Sequence, residues 1–258
     1  MINILMPMAG GNRHFPESDF PFPKPLIEIG QFTVIEHVVK NLNTINENIH
    51  FVFVVSEEDC RRFNFDSTLS IITDFRCSIV RIKNETKGAT CSALMAISII
   101  NNNIPLIIAN ADQVFADPLP SIVNLLKRFD AGVVTFESVH PRWSYVRVDE
   151  QGFVQEAVEK HPISRNAIAG LYYFSRGEDF VQAAMRSIQK GIHTNGIYYI
   201  APILNELILQ GRKIRAAKIE IDRYHTLYTP QKLKEYERSE FLYKILKFFG
   251  EENLGVKI

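Results

Sequence analysis

Two short stretches of this chain bring together residues that could hold a string of phosphates. The first is Gly10-Gly11, directly behind an apolar run at 2–8 and followed by Asn12, Arg13 and His14. Paired glycines after a buried strand let the backbone turn sharply and offer bare N–H groups to an anion. The second is Lys24, bracketed by Pro23 and Pro25, which keep its backbone extended. Cations beside bare N–H groups suit a polyphosphate. The Gly-Lys-Ser/Thr ending of a P-loop is absent, and so is the third glycine of the dinucleotide fingerprint. Farther on, Asp112 closes the apolar run 105–109 through Asn110 and Ala111. A carboxylate at a strand end is placed to hold Mg2+ through one or two oxygens while substrate phosphates supply others. A turn or N-cap aspartate is the plain structural alternative. Asp222, after the run 214–221, is the candidate for a second metal carboxylate.

The elements that must position these residues follow from periodicity. Residues 2–8 read as a short buried strand. The stretch 12–25, with prolines at 16, 21, 23 and 25, is neither a helix nor a central strand but a long ordered loop, a kind usually tied to function. A strand and turn are predicted at 26–30 and a helix at 34–45. Strands follow at 50–55, 77–82, 105–109 and 131–136, separated by helices at 57–63, 67–75, 89–100 and 121–129. This alternation predicts an α/β, doubly wound parallel sheet with helices on both faces, whose ligands sit at the carboxyl ends of the strands. The glycine loop and Asn110-Ala111-Asp112 both lie at such ends. Strands at 145–148, 153–159 and 168–174 read as an antiparallel addition to the same sheet. Helices at 179–190 and 200–210, a strand at 214–221 and a long amphipathic helix at 231–249 complete the chain. That helix reads as docked on the domain, with a self-association surface as the other reading. Trp143, beside Arg142, reads as core packing or as a wall of an acceptor pocket.

Composition narrows the class. Lys plus Arg and Asp plus Glu both number 29, and this zero net charge argues against a nucleic-acid binder without excluding a local phosphate site. At 258 residues the chain buries roughly three quarters of its unfolded surface and needs no disulfide or metal staple to fold. Three widely spaced cysteines make neither a disulfide framework nor a zinc site. No apolar run approaches the ~20 residues of a membrane span, and a cytoplasmic setting is the default expectation. With no linker or repeat, one domain is expected, with an alternating strand–helix half at 1–136, a second half at 137–230 and a C-terminal helix at 231–258.

The stretches Met6-Pro-Met-Ala-Gly-Gly-Asn-Arg-His-Phe15 and Phe22-Pro-Lys-Pro-Leu-Ile-Glu-Ile29 resemble the signature of the sugar-phosphate nucleotidyltransferases, the nucleoside-diphosphate-sugar pyrophosphorylases. Later segments fit in order: 86–94, Asn110-Ala-Asp112, Glu159-Lys160, 169–174, 195–199 and Thr229-Pro230. The resemblance covers about residues 2–236 and specifies superfamily rather than substrate. It implies a mixed sheet of the GT-A-like type and attack by an acceptor phosphate on the α-phosphorus of an NTP. Met8, Ala9, Gly10, Gly11, Gly88 and Ala89 would then bind the nucleotide. Lys24 with Arg13 or His14 would handle phosphate charge, and Asn110, Glu159, Lys160 and Gly170 would meet the acceptor. Asp112 with Asp222 would hold Mg2+. The plain structural readings beside these are a surface ion pair for Glu159-Lys160 and a strand bulge at Gly170. Where the family loop ends Gly-Ser/Thr-Arg, ungapped counting puts His14 in the arginine's place and Arg13 one residue early. A supply of surface or capsular polysaccharide precursors is the implied role. A cytidylyltransferase acting on a phosphorylated non-sugar acceptor, a GT-A glycosyltransferase and a non-catalytic nucleotide binder are the alternatives.

Overall fold

The apolar run at the N-terminus is flanked on both edges by other apolar runs, and this fixes the middle of the sheet. The computed structural model describes residues 1–11, 14–16 and 18–243. Its strands are β1 (Ile2–Pro7), β2 (Glu28–Ile29), β3 (Phe32–Thr33), β4 (Ile49–Ser56), β5 (Cys77–Ile82), β6 (Leu106–Ala109) and β7 (Gln113–Phe115). They continue as β8 (Ala131–Glu137), β9 (Ser144–Val148), β10 (Val154–Glu159), β11 (Asn166–Phe174), β12 (Ile214–Lys218) and β13 (Tyr224–Thr226). β1 pairs in parallel with β4 and β6, so that Leu5 lies between Val52 and Ile108. Among the described residues a nine-stranded sheet runs β10-β9-β11-β6-β1-β4-β5, with β8 pairing β11 and β12.

Successive residues of a strand point to opposite faces, and β1 shows the consequence. Ile4 and Met6 enter one core with Val38, Val39 and Leu42 of the helix Val34–Asn43. Leu5 enters another with Phe180, Val181 and Ala184 of the helix Gly177–Gln189. Helices therefore cover both faces. β11 runs antiparallel to β6, β8 and β9 and carries the second half onto the same sheet, the antiparallel addition expected from the sequence. Thr33 starts the helix Val34–Asn43 with a capping box: its hydroxyl accepts from the Glu36 N–H while Glu36 accepts from the Thr33 N–H.

The structure corrects several expected elements. The segment 26–30 is a one-turn helix at Lys24–Leu26 followed by the small hairpin of β2 and β3. The helix expected over 89–100 is two pieces, Ala89–Leu94 and Ile97–Ile100, because Ala96 leaves the helical conformation. The strands β7 and β13 form a second, two-stranded sheet that periodicity misses, since three residues show no period. The expected long C-terminal helix stops at Glu237. Ser239 breaks it, and its side chain accepts from the Leu242 N–H to start a new turn. Leu233, Tyr236 and Leu242 are buried against Phe15, Ile29, Val34 and Leu227, so this part of the helix is docked on the domain. Residues 244–249 of that expected helix lie outside the described residues.

Candidate active site

The sheet order puts the carboxyl ends of β1, β4, β5 and β6 along one edge, and the loops of interest start there. β1 delivers Met8, Ala9, Gly10 and Gly11, and the Met8 N–H still donates to Val54 O of β4 at 2.8 Å. Lys24 sits on the one-turn helix that Pro23 and Pro25 initiate. Asp112 lies between β6 and β7, where its carbonyl accepts from the Leu227 N–H at 2.7 Å. The two charged groups meet: Lys24 Nζ is 2.6 Å from Asp112 Oδ2, with side chains 25% and 21% exposed. They line one cavity of about 300 Å3 with Gly10, Gly11 and Asn110.

Asp59 lines that cavity too. Sequence reading passed over it because an acid three residues after Ser56 reads as a helix start, and the Ser56 hydroxyl does accept from the Asp59 N–H. Burial raises the Asp59 carboxyl above its ordinary value, Glu58 adds to this, and Arg62 opposes it.

The expected pairing of Asp222 with Asp112 is not present. β13 runs antiparallel to β7 with Thr226 opposite Gln113 and Tyr224 opposite Phe115, which puts Leu227 beside Asp112. Asp222 therefore lies past the far end of β13, where the neighbouring Arg223 pairs with Asp117. Among the described residues no group of three or more His, Cys, Asp or Glu side chains is close enough to hold a metal. A single carboxylate facing a cavity still fits Mg2+, which commonly takes one or two protein carboxylates and completes its shell with phosphates and water.

A second cavity, about 290 Å3, opens on the other side of the glycine loop, lined by Ala9, Gly10, Gly11, Gly88, Ala89 and Tyr199 among others. Gly88 has φ +112°, and a Cβ there would stand 2.5 Å from Tyr198 O. The close approach that needs glycine is thus to the protein's own backbone, where the Tyr198 N–H donates to Lys87 O at 2.8 Å. His14 is exposed, its ring edge-on to Tyr228 at 5.9 Å. The Arg142 guanidinium lies 4.2 Å from the Trp143 ring centre and 4.7 Å from that of Tyr228. Trp143 packs edge-on against the buried Phe136 at 5.2 Å, the packing reading of this residue. Arg13 and Asn12 lie outside the described residues.

The acceptor-side candidates are engaged with one another. Glu159, at the end of β10, is 9% exposed and accepts from the Ser144 hydroxyl. Burial raises its carboxyl above the usual range, while Ser144 and Lys160 pull it down. Lys160 takes a left-handed φ of +55° and donates from Nζ to Tyr199 Oη at 2.5 Å. Gly170 lies where the β11–β8 register shifts, which is the bulge reading. Its φ is +67°, and a Cβ would come 2.3 Å from Asn110 Nδ2. Asn110 in turn donates from its backbone to Gly170 O at 3.2 Å. Gln113 Oε1 accepts from Tyr224 Oη at 3.0 Å, tying β7 to β13 beneath the site.

With the geometry in place, comparisons with known proteins locate the chain. A family model described as nucleotidyl transferase matches residues 9–206. The bifunctional protein GlmU of Methanococcus aeolicus is 22% identical over 193 residues, covering 73% of this chain and 43% of that protein, so the chain spans less than half of this relative's length. The nucleoside-diphosphate-sugar pyrophosphorylase of Vibrio cholerae RC9 has the same fold, with a TM-score of 0.80 at 22% identity over 92% of this chain and 100% of that one. A UDP-glucose pyrophosphorylase complexed with UDP-glucose gives 0.74 at 19% identity, covering 95% and 100%. No helix among the described residues is long and apolar enough to cross a membrane. The family model runs over most of the chain, from the glycine loop through the antiparallel strands, and the chain belongs to the nucleotidyl transferase family.

Proposed function

We propose that the chain is an Mg2+-dependent nucleotidyltransferase that joins an NTP to a sugar 1-phosphate, or to another phosphorylated acceptor, and releases pyrophosphate. The observation that carries this reading is the contact of Lys24 with Asp112 at 2.6 Å inside the cavity that also holds Gly10 and Gly11. An ammonium and a carboxylate at one sheet edge, beside bare backbone N–H groups, suit a reaction in which two anions must meet. A surface or capsular polysaccharide precursor is the product class in keeping with the resemblance.

The chemistry is an in-line displacement. An oxygen of the acceptor phosphate forms a bond to the α-phosphorus. The bond from the α-phosphorus to the oxygen bridging to the β-phosphorus breaks, and pyrophosphate leaves with that electron pair. No side chain need accept a proton. Repulsion between the two anions is the main obstacle, so positioning and charge neutralisation carry the rate. The N–H groups of Gly10 and Gly11 hold the β- and γ-phosphates. Lys24 turns from Asp112 toward the α-phosphate and the incoming acceptor phosphate. Asp112 and Lys24 hold one another in place until the nucleotide enters. Mg2+, held by Asp112 and the phosphates, would add neutralising charge at the phosphoryl oxygens. Lys160 meets the acceptor phosphate and Glu159 accepts from acceptor hydroxyls.

The test is pyrophosphate release from a matrix of NTPs and phosphorylated acceptors, with and without MgCl2. Release that depends on both substrates and on Lys24 supports the reading. Transfer of a sugar from a nucleotide-sugar, with no pyrophosphate formed, replaces it with glycosyl transfer.

A further inference from the structure

Just before β9, the Arg142 guanidinium is held by two aromatic rings and by no acid. Its centre lies 4.2 Å from that of the Trp143 ring and 4.7 Å from that of Tyr228. Among the described residues its side chain makes no hydrogen bond or ion pair, and only its backbone N–H is committed, to His140 Nδ1 at 3.2 Å. Both rings are themselves fixed. Trp143 stands edge-on to the buried Phe136, and Tyr228 follows the buried Leu227, whose N–H donates to Asp112 O. A ring attracts a guanidinium without using up its in-plane N–H donors, which stay available as a rigid fork. The rings also shed part of its water, and this burial pulls the guanidinium below its usual proton affinity. A charge that loses water is ordinarily paired.

Two observations put this fork on the acceptor side. Trp143 O accepts from the Lys160 N–H at 3.1 Å, so Arg142 and Lys160 leave neighbouring backbone. Arg142 lines none of the three cavities that contain Gly10 and Gly11, where the nucleotide phosphates are proposed to sit. The two cations then diverge. Lys160 Nζ donates to Tyr199 Oη at 2.5 Å, whereas Arg142 turns to Tyr228. Held apart in this way, they suit two anions on one molecule rather than a single phosphate. We infer that Arg142 binds a second anionic group on the acceptor, a carboxylate or phosphate remote from the phosphate that reacts, an assignment that rests on the nucleotidyl-transfer reading of the cleft. The planar fork matches either group through paired hydrogen bonds.

Matched acceptors test this on the full chain, with kcat/KM for the acceptor read from pyrophosphate release in MgCl2 with ATP, CTP, GTP, UTP or dTTP. Glucuronic acid 1-phosphate and glucose 1,6-bisphosphate are set against glucose 1-phosphate, and 3-phosphoglycerate against glycerol 3-phosphate. In at least one pair the acceptor with the added anion is expected to be favoured about tenfold or more. The carboxylate and bisphosphate arms show which anion fits. Arg142→Gln is expected to erase the preference, and Arg142→Lys, which keeps the charge without the fork, to keep part of it. Arg142 is exposed, so neither change disturbs the core. If the simpler member of every pair is used as well as its partner, or if Arg142→Gln slows both members of a pair alike as loss of packing would, the assignment is overturned and nucleotidyl transfer stands. No pyrophosphate from any combination overturns both.

Discussion

The half of the cleft proposed for the nucleotide and the half proposed for the acceptor are built on opposite plans. On the nucleotide side, Gly10, Gly11, Asp59 and Asp112 come from the ends of three strands, β1, β4 and β6, Lys24 comes from the one-turn helix, and all line one open cavity. Their shared contact is the Lys24–Asp112 pair, which a bound nucleotide can rearrange. On the acceptor side the polar groups are spent on one another, Glu159 on Ser144 and Lys160 on Tyr199, and Asn110 borders both sides, lining the open cavity while its backbone N–H donates to Gly170 O. The open half is poised for strong charge at the cost of little order. The closed half is tied by its own hydrogen bonds, so the acceptor recognition proposed for it would use groups whose positions the fold has already set. Tyr199 joins the two, because it lines the Gly88 cavity and holds the Lys160 ammonium.

Substitutions can break this contrast. The largest effect is expected on the open side. Lys24→Ala should lower the rate of pyrophosphate release about 1,000-fold, as loss of a charge-stabilising group does. Its ion pair is partly exposed, so stability should change by less than about 1 kcal/mol in urea unfolding. Near-normal turnover in this variant would sink the proposed role. On the closed side the order reverses, with stability responding first. Gly170→Ala forces a side chain onto a φ of +67° and against Asn110. About 2–4 kcal/mol of stability should be lost in the same unfolding experiment, from backbone strain and overpacking together.

Two smaller changes sharpen the comparison. Lys160→Ala should raise the KM for the acceptor about tenfold while the KM for NTP holds, since only acceptor binding uses that ammonium. Equal effects on both substrates would place Lys160 in the nucleotide half instead. The smallest effect concerns Glu159, whose carboxyl burial raises above its ordinary value of 4.5. The folded chain then holds a proton that the unfolded chain has released, over the window from about that value upward. Ionisation as pH rises through this window costs stability, and lowering the pH restores it. Glu159→Gln should flatten that part of the stability–pH curve by about 1 kcal/mol or less, which unfolding at a series of pH values from 4 to 7 would detect.

Much of this was readable from the residues. The glycine pair after an apolar run, the proline-bracketed lysine and the aspartate closing a second apolar run each have a chemistry of their own. The strand–helix alternation carried the parallel half of the sheet, and the turn at 149–152 carried the first antiparallel hairpin. Gly170 read as an opening for the acceptor with a strand bulge as the plain alternative, and that Asn110 stands against it was visible only in three dimensions. The approach of Tyr198 to Gly88 was equally out of reach of the sequence. Asp59 was hidden because its local role, at a helix start capped by Ser56, is complete without any site.

By itself the sequence determined which groups are available and where the strands end, because both depend on neighbours within a few residues. The partner of Asp112 was a matter of tertiary structure. A separation of 88 positions along the chain says nothing about a 2.6 Å contact. The choice between Asp222 and Leu227 beside Asp112 turned on the register of a three-residue strand. One step of register displaces every side chain of such a strand, and so short a run has no hydrophobic pattern to fix it.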